Sequence, residues 1–325
     1  SDGGTGGTGG GTDGGTGGTG GGTDGGTGGT GGGTDGGTGG TGGGTGGAGS
    51  LAVKSFYDAN ANGRWDSDEP QLTWRTSVVG IAAPAFTPAT YSGLALSAQE
   101  VREAVPSAGL GYSWSATNAY AGADPFVGTP SQTAVSGGVD YLNRLPVMLS
   151  TATPGLTVYF GNVCLGGGGA QESGYWIDAT DLPSGMAQPY AALSELNLVD
   201  ASGAAFDPAN YPQLRQWMRE ATAVNMAYML SMHLATAKLN VLSRSVDPSR
   251  QVYAPGAANA NAAGYMSLAD LIAEANTALG ANNMTRDAGA DRSYQSALKD
   301  ALEGSSKNQR FVQATPDACA LNWVD

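Results

Sequence analysis

The chain is short of the residue types that carry most nucleophilic and metal chemistry. Its 325 residues include one histidine, His233, and two cysteines, Cys164 and Cys319. Neither cysteine belongs to a CxxC pair, which argues against a zinc ribbon or a thioredoxin-type redox centre. His233 lies among Met226, Met229 and Met232. Copper sites usually take more than one histidine and haem needs a companion motif, so these side chains read as core filler at helical spacing. No GxSxG, HExxH, P-loop or dinucleotide-binding glycine fingerprint occurs. Asp178 and Asp181 read as a solvated loop rather than a glycosidase pair. Basic residues are scarce too, 15 Lys and Arg against 28 Asp and Glu, for a net charge of −13. That balance repels nucleic acid and anionic membranes, and it suits a secreted protein that meets divalent cations. No run of about 18 apolar residues exists, so no membrane span is expected. No signal peptide precedes the opening SDGG, and the expectation is an exported chain whose signal has already been removed.

What is abundant is glycine, 54 residues, most of them in the first fifty positions. There the unit DGGTGGTGGGT runs four times, over 2–12, 13–23, 24–34 and 35–45. A segment without apolar side chains has nothing to bury and cannot fold alone. On composition it is a flexible tether. Its threonines recur every third residue and then slip by one. A three-residue period fits a polyproline-II-like strand of about 3.1 Å per residue, roughly 150 Å over the whole arm. Strands with glycine faces can pack side by side through backbone hydrogen bonds. Thr5, Thr8 and Thr12 then line an edge open to water or O-linked sugar, while Asp2, Asp13, Asp24 and Asp35 mark the register. Collagen is disfavoured because the period breaks every eleven residues and proline is absent from the arm.

Beyond the arm, residues 51–164 read as β. LAVKSFY, QLTWRTSVVGI, GLGYSWSAT, RLPVMLSTA and GLTVYFGNV are alternating, β-branched or aromatic runs separated by Pro and Gly clusters, as in a small sandwich. A helical insertion is expected over 97–105. At the GGGG of 166–169, a hinge or loop, the pattern turns helical. A long, broadly apolar helix is expected over 208–242. A second is expected over 267–279, with Ser267 and Asp270 as an approximate capping box and Gly280 as its stop. A third is expected over 291–302, closed by Gly304, and SELNLV near Ser194 adds a short turn. An even cysteine count in an exported chain favours a Cys164–Cys319 disulfide, two buried thiols being the alternative.

The sharpest chemical signal is Asp58-Ala-Asn60-Ala-Asn62-Gly63-Arg64-Trp65-Asp66-Ser-Asp68-Glu69, which matches D-x-[DN]-x-[DN]-G with glutamate at the twelfth position. Calcium takes six to eight hard oxygens. Asp58, Asn60 and Asn62 offer side-chain oxygens, Arg64 its carbonyl, Asp66 a direct or water-mediated contact, and Glu69 a bidentate closure. Gly63 permits the sharp turn, and Trp65 pins the loop to the core. An Asn/Gly/Asp turn without metal is the bland alternative. The flanking segments are strand-like, so the loop reads as a structural clip and not a sensor. Two neutral amide ligands point to weak affinity of the extracellular kind.

On these residues the segment FYDANANGRWDSDEP resembles the strand and calcium loop that open the B-type repeat domains of bacterial SD-repeat surface adhesins, the SdrD B-like domains. The resemblance is strongest over 53–70 and extends to about 163. It implies a calcium-clipped β-sandwich serving as a rigid spacer, with Asp58, Asn60, Asn62, Asp66 and Glu69 as ligands. The Gly/Asn-rich turn usual between the middle strands of that family has no clear counterpart. The stretch from VYFGNVCLGGGG to FVQATPDAC is similar to a helical module found after such domains in bacterial exported proteins.

The sequence thus predicts a multidomain α+β protein. Its parts are a Gly/Thr arm (1–50), a calcium-clipped sandwich of immunoglobulin or transthyretin type (51–164) and a mainly helical domain (165–325). The expected role is a non-enzymatic extracellular structural subunit of a bacterial filament, sheath or matrix, self-assembling as a homo-oligomer or polymer. The alternative is a cell-surface adhesin or ligand-binding module on a flexible tether.

Overall fold

Over the first half of the described residues, strands form where apolar residues alternate or run continuously. They are β1 (Gly49–Tyr57), β2 (Gln71–Leu72), β3 (Arg75–Val78), β4 (Ala85–Phe86), β5 (Ala89–Leu94), β6 (Ala98–Glu103), β7 (Ser113–Ala121), β8 (Asn143–Met148) and β9 (Gly155–Gly166). The computed structural model describes residues 48–81, 83–123 and 143–319. The arm residues Asp2, Thr5, Thr8, Thr12, Asp13, Asp24 and Asp35 lie outside the described residues. Thr45–Asp325 is one unit.

The fold is α+β, and the strands among the described residues form two sheets. One has the order β11 (Tyr265–Ser267), β10 (Gln251–Tyr253), β12 (Phe311–Val312), β9, β1, β2, with β5 also on β1 and β7 also on β9, and the other has the order β4-β3-β6-β8. β1 and β9 are parallel, with Leu51 opposite Leu156 and Tyr57 opposite Asn162. Leu51, Val53, Val158 and Phe160 of the first sheet share one core with Val78, Val101 and Val147 of the second. Strand β6 replaces the helix expected over 97–105. AQEVRE is rich in helix formers, but Val101 and Glu103 point inward in alternation, and β6 is paired along its length with β8 and over part of it with β3.

The later chain contributes α1 (Ser173–Asp178), α2 (Pro189–Ser194), α3 (Tyr211–Glu220), α4 (Met226–Leu242), α5 (Leu268–Ala281) and α6 (Ala290–Ser306). It also contributes the short strands β10 (Gln251–Tyr253), β11 (Tyr265–Ser267) and β12 (Phe311–Val312). β12 pairs with the end of β9, so the first sheet continues into this half of the chain, and position 164 falls inside β9. α4 is buried on most sides and packs against α1, α2, α5 and α6. The single helix expected over 208–242 is two helices. The backbone turns extended at Ala221, and the Asn225 side chain caps α4 by accepting from Ala227 N at 3.2 Å. Arg292 donates to the carbonyls of Ala223 and Val224, holding the break open. Ser267 caps α5 as its spacing implies, accepting from Asp270 N at 3.1 Å. Gly280 and Gly304 do not stop their helices. They lie inside α5 and α6, where a Cβ would come within 2.8 Å of Asn197 and 2.4 Å of Arg310. His233 and Met232 are core residues of α4, and burial holds the imidazole down at about 4, in its neutral form at ordinary pH.

Cys164 on β9 is bonded to Cys319, with Cα atoms 5.7 Å apart across a separation of 155 residues. The bridge ties the C-terminal 3₁₀ turn to the middle of the chain. Closing so long a loop restricts the unfolded ensemble, which the chain-entropy treatment puts at roughly 4–5 kcal/mol. Reduction, or replacement of both cysteines by alanine, is therefore expected to lower the urea midpoint strongly. An unchanged midpoint would contradict this.

Between the sheets lies Glu103, fully buried. Its carboxyl accepts from Ser55 Oγ at 2.5 Å and Asn143 Nδ2 at 2.5 Å, and from Asn162 Nδ2 at 3.1 and 3.2 Å. Burial pushes its pKa up to about 7, and these three neutral neighbours offset only part of the effect. A carboxyl raised above its unfolded value stabilises the fold fully below the unfolded pKa. That contribution fades as pH rises from the ordinary carboxylate range through about 7. Wild-type protein is expected to lose a few kcal/mol of stability from this group between pH 5 and 8, a loss that Glu103→Gln should not show. Denaturant titrations of both proteins across that range check it, and parallel pH profiles would refute it.

Candidate metal loop

Residues 58–70 connect β1 to β2 as a long hairpin loop, closed at its base where Tyr57 N donates to Pro70 O at 2.9 Å. Asp58 follows directly from β1 and is fully buried, anchored by its own N–H to Asn162 O of β9. Its two carboxylate oxygens accept from Asn62 N at 2.9 Å and Gly63 N at 2.7 Å, which wraps the chain round the carboxylate. Gly63 has φ +79°, a left-handed conformation that glycine adopts without steric cost. Asp66 Oδ2 accepts from both Asn60 Nδ2 and Asn62 Nδ2 at 2.8 Å. Asp66 N donates to Glu69 Oε2 at 3.1 Å. The expected ligands Asp58, Asn60, Asn62, Asp66 and Glu69 are thus gathered by one turn of chain. Arg64, expected to give its carbonyl, is exposed at the rim, with its N–H on Asn62 Oδ1.

Trp65 pins the loop as its position implies. Its ring stacks on Phe56 of β1 and lies tilted against Tyr159 of β9, with the Lys54 ammonium 4.5 Å above it. Two further contacts were not legible from the loop motif. Asn118, fully buried on β7 just after an irregularity in the β7–β9 pairing, donates to Gly63 O at 2.9 Å. Asn261, between β10 and β11, donates to Ala61 O at 2.6 Å. Neither carries a local sequence signal, because each meets the loop only through tertiary folding.

The electrostatics bear on what the loop can hold. Burial raises the Asp58 carboxyl above its usual range, opposed by Thr117 and by the amides of Gly63 and Asn62. Burial likewise pushes Glu69 to about 7; the backbone amides of Asp66 and Asn60 oppose the rise, and the neighbouring carboxylates of Asp58 and Asp66 add to it. Glu69 is only 8 % exposed, and its Oε1 has no hydrogen-bond partner. A buried carboxylate oxygen without a donor is costly, and a cation removes that cost. No group of three or more His, Cys, Asp and Glu side chains suited to a metal is present among the described residues. The loop's donors are mixed, carboxylate with amide and carbonyl oxygen, which is the set that suits a hard cation such as calcium. The donor types are those the motif implies, while the carboxyl groups of Asp58, Asp66 and Glu69 are not drawn together into a metal-holding group.

A separate cleft of about 540 Å³, lined in part by Tyr112, Trp114, Tyr253, Gln309 and Arg310, draws on none of the loop residues. Asp178 and Asp181 are exposed. No helix among the described residues is long and apolar enough to cross a membrane. Set against protein-family models, curated proteins and solved structures, the chain matches none.

Proposed function

We propose that the chain is a non-enzymatic extracellular structural protein, in which calcium at Asp58, Asn60, Asn62, Arg64 O, Asp66 and Glu69 clips a β-sandwich of immunoglobulin or transthyretin type. The observation that carries this reading is the unpartnered Oε1 of buried Glu69 inside a loop of hard oxygen donors. The likeness of 53–70 to SdrD B-like domains supports it, as does the Cys164–Cys319 bridge, since disulfides persist in oxidising, mostly extracellular surroundings. On this reading the helices after β9 form the second part of a rigid body, and the Gly/Thr arm carries the contacts between subunits of a filament, sheath or matrix.

Calcium that binds only the folded state at a hundred times its Kd adds about 2.7 kcal/mol of stability. Calcium is expected to raise the melting temperature of wild-type protein and EDTA to lower it again. Asp58→Ala and Glu69→Ala should melt lower and respond to neither. Wild-type melting that is the same in excess EDTA and in calcium sinks the clip.

Assembly rests on the arm. Ordering a glycine-rich residue costs on the order of 1 kcal/mol or more, while a backbone hydrogen bond contributes only about 0.5–1.5 kcal/mol net, so an ordered arm needs neighbours along its whole length. Strand β1 begins at Gly49, within the 1–50 segment, so a deletion that spares the sheet ends at residue 47. Removing 1–47 is expected to leave the body folded and calcium-competent but to abolish regular fibres in negative-stain microscopy. Removing one eleven-residue unit should change their spacing or stability. Fibres of unaltered form from the truncated chain would assign the arm to a tether and favour the adhesin reading.

A further inference from the structure

Ala61 sits between two proposed ligands, Asn60 and Asn62, yet it faces away from them into the protein. It is fully buried, and it shares a small core with Val163 and Leu165 of β9, Ala263 and Tyr265 at β11, and Val312 of β12. Its φ is +54°, a left-handed conformation that costs alanine of the order of 1–2 kcal/mol and persists only where the surroundings enforce it. The enforcing contact is Asn261, 200 residues away, whose Nδ2 donates to Ala61 O at 2.6 Å. Asn261 is itself held rigidly. Its Oδ1 accepts from Ala263 N and Tyr265 N at 3.0 Å, and its N–H donates to Tyr265 O at 2.8 Å. The side-chain amide is therefore aimed before it meets the loop.

We propose that Asn261 is a positioning residue of the cation loop, and that cation binding is coupled through it to the seating of the β10–β11 segment of the later chain. This rests on the calcium reading above. The ligand side chains of Asn60 and Asn62 flank the residue whose backbone Asn261 fixes, so their convergence depends on that hydrogen bond. The same bond makes the turn between β10 and β11 part of the loop's support. Asn118 gives the matching support from β7 at Gly63 O, so the loop is clamped between the two halves of the chain. Coupling of this kind is reciprocal: a cation that orders the loop also orders the turn that holds it.

The test uses the full chain, with calcium chloride as the probe in isothermal titration calorimetry and in hydrogen exchange. Asn261→Ala is expected to weaken calcium binding about tenfold or more, the usual effect of losing an outer-shell contact. In the wild type, calcium should slow exchange at the amides of Ala263 and Tyr265. In Glu69→Gln it should not. The hydrogen-exchange comparison in the wild type needs no variant to fold. If the wild type binds calcium but Asn261→Ala binds it equally well, and calcium leaves exchange over 251–267 unchanged, the coupling is refuted while the calcium loop stands. If the wild type binds no calcium, both readings fall together.

Discussion

The structure depends on β9. This strand pairs in parallel with β1 and antiparallel with β7 and with β12, so neither of its edges is left free along most of its length. Parallel pairing brings together two segments that no short turn can join, so the whole chain between β1 and β9 must be accommodated before the pair forms. Once it forms, successive residues of β9 organise everything else. The carbonyl of Asn162 holds Asp58 at the root of the loop, and its side chain reaches Glu103. Cys164 carries the bridge to Cys319, and its carbonyl receives Gln313 N. Leu165 and Gly166 then pair with β12.

Two kinds of buried carboxyl hang on that frame, and they are handled differently. Glu103 lies between the sheets among Ser55, Asn143 and Asn162, whose neutral donors favour its charged form but offset only part of the burial that favours the protonated acid. Such a group links β1, β6, β8 and β9 by directed bonds, which specifies how the sheets face each other more sharply than apolar packing alone. Asp58 and Glu69 sit beside one another at the loop, and one oxygen of Glu69 is left without a donor. In the first arrangement both carboxyl oxygens are hydrogen-bonded, whereas the second leaves one carboxyl oxygen without a hydrogen bond.

Much of the loop was legible because its geometry is local. The spacing of Asp58, Asn60, Asn62, Gly63, Asp66 and Glu69 places these residues within one turn of chain, and tertiary contacts from Asn118 and Asn261 hold that turn in shape. The capping of α5 by Ser267 was legible for the same reason, a partner three residues away. Strand β6 was misread because AQEVRE favours helix by composition, and only its pairing with β3 and β8 overrides that preference. The break between α3 and α4 was hidden because apolar spacing runs through it. Arg292 and the cap at Asn225 decide it from outside the pattern.

By itself the sequence determined the mixed α+β content, the strand runs at β1–β3 and β7–β9, the shared turn of donors at 58–69 and which two cysteines a disulfide would join. Each follows from residue type at short spacing or, for the cysteines, from there being only two. Tertiary structure alone decided the parallel register of β1 and β9, the burial of Glu103 and the extension of the sheet by β10–β12. It also decided that Asn118 and Asn261 support the loop. These contacts join residues tens to hundreds of positions apart. Such a contact leaves no periodic trace along the chain, because its position is set by how whole elements pack and not by what their neighbours in sequence are.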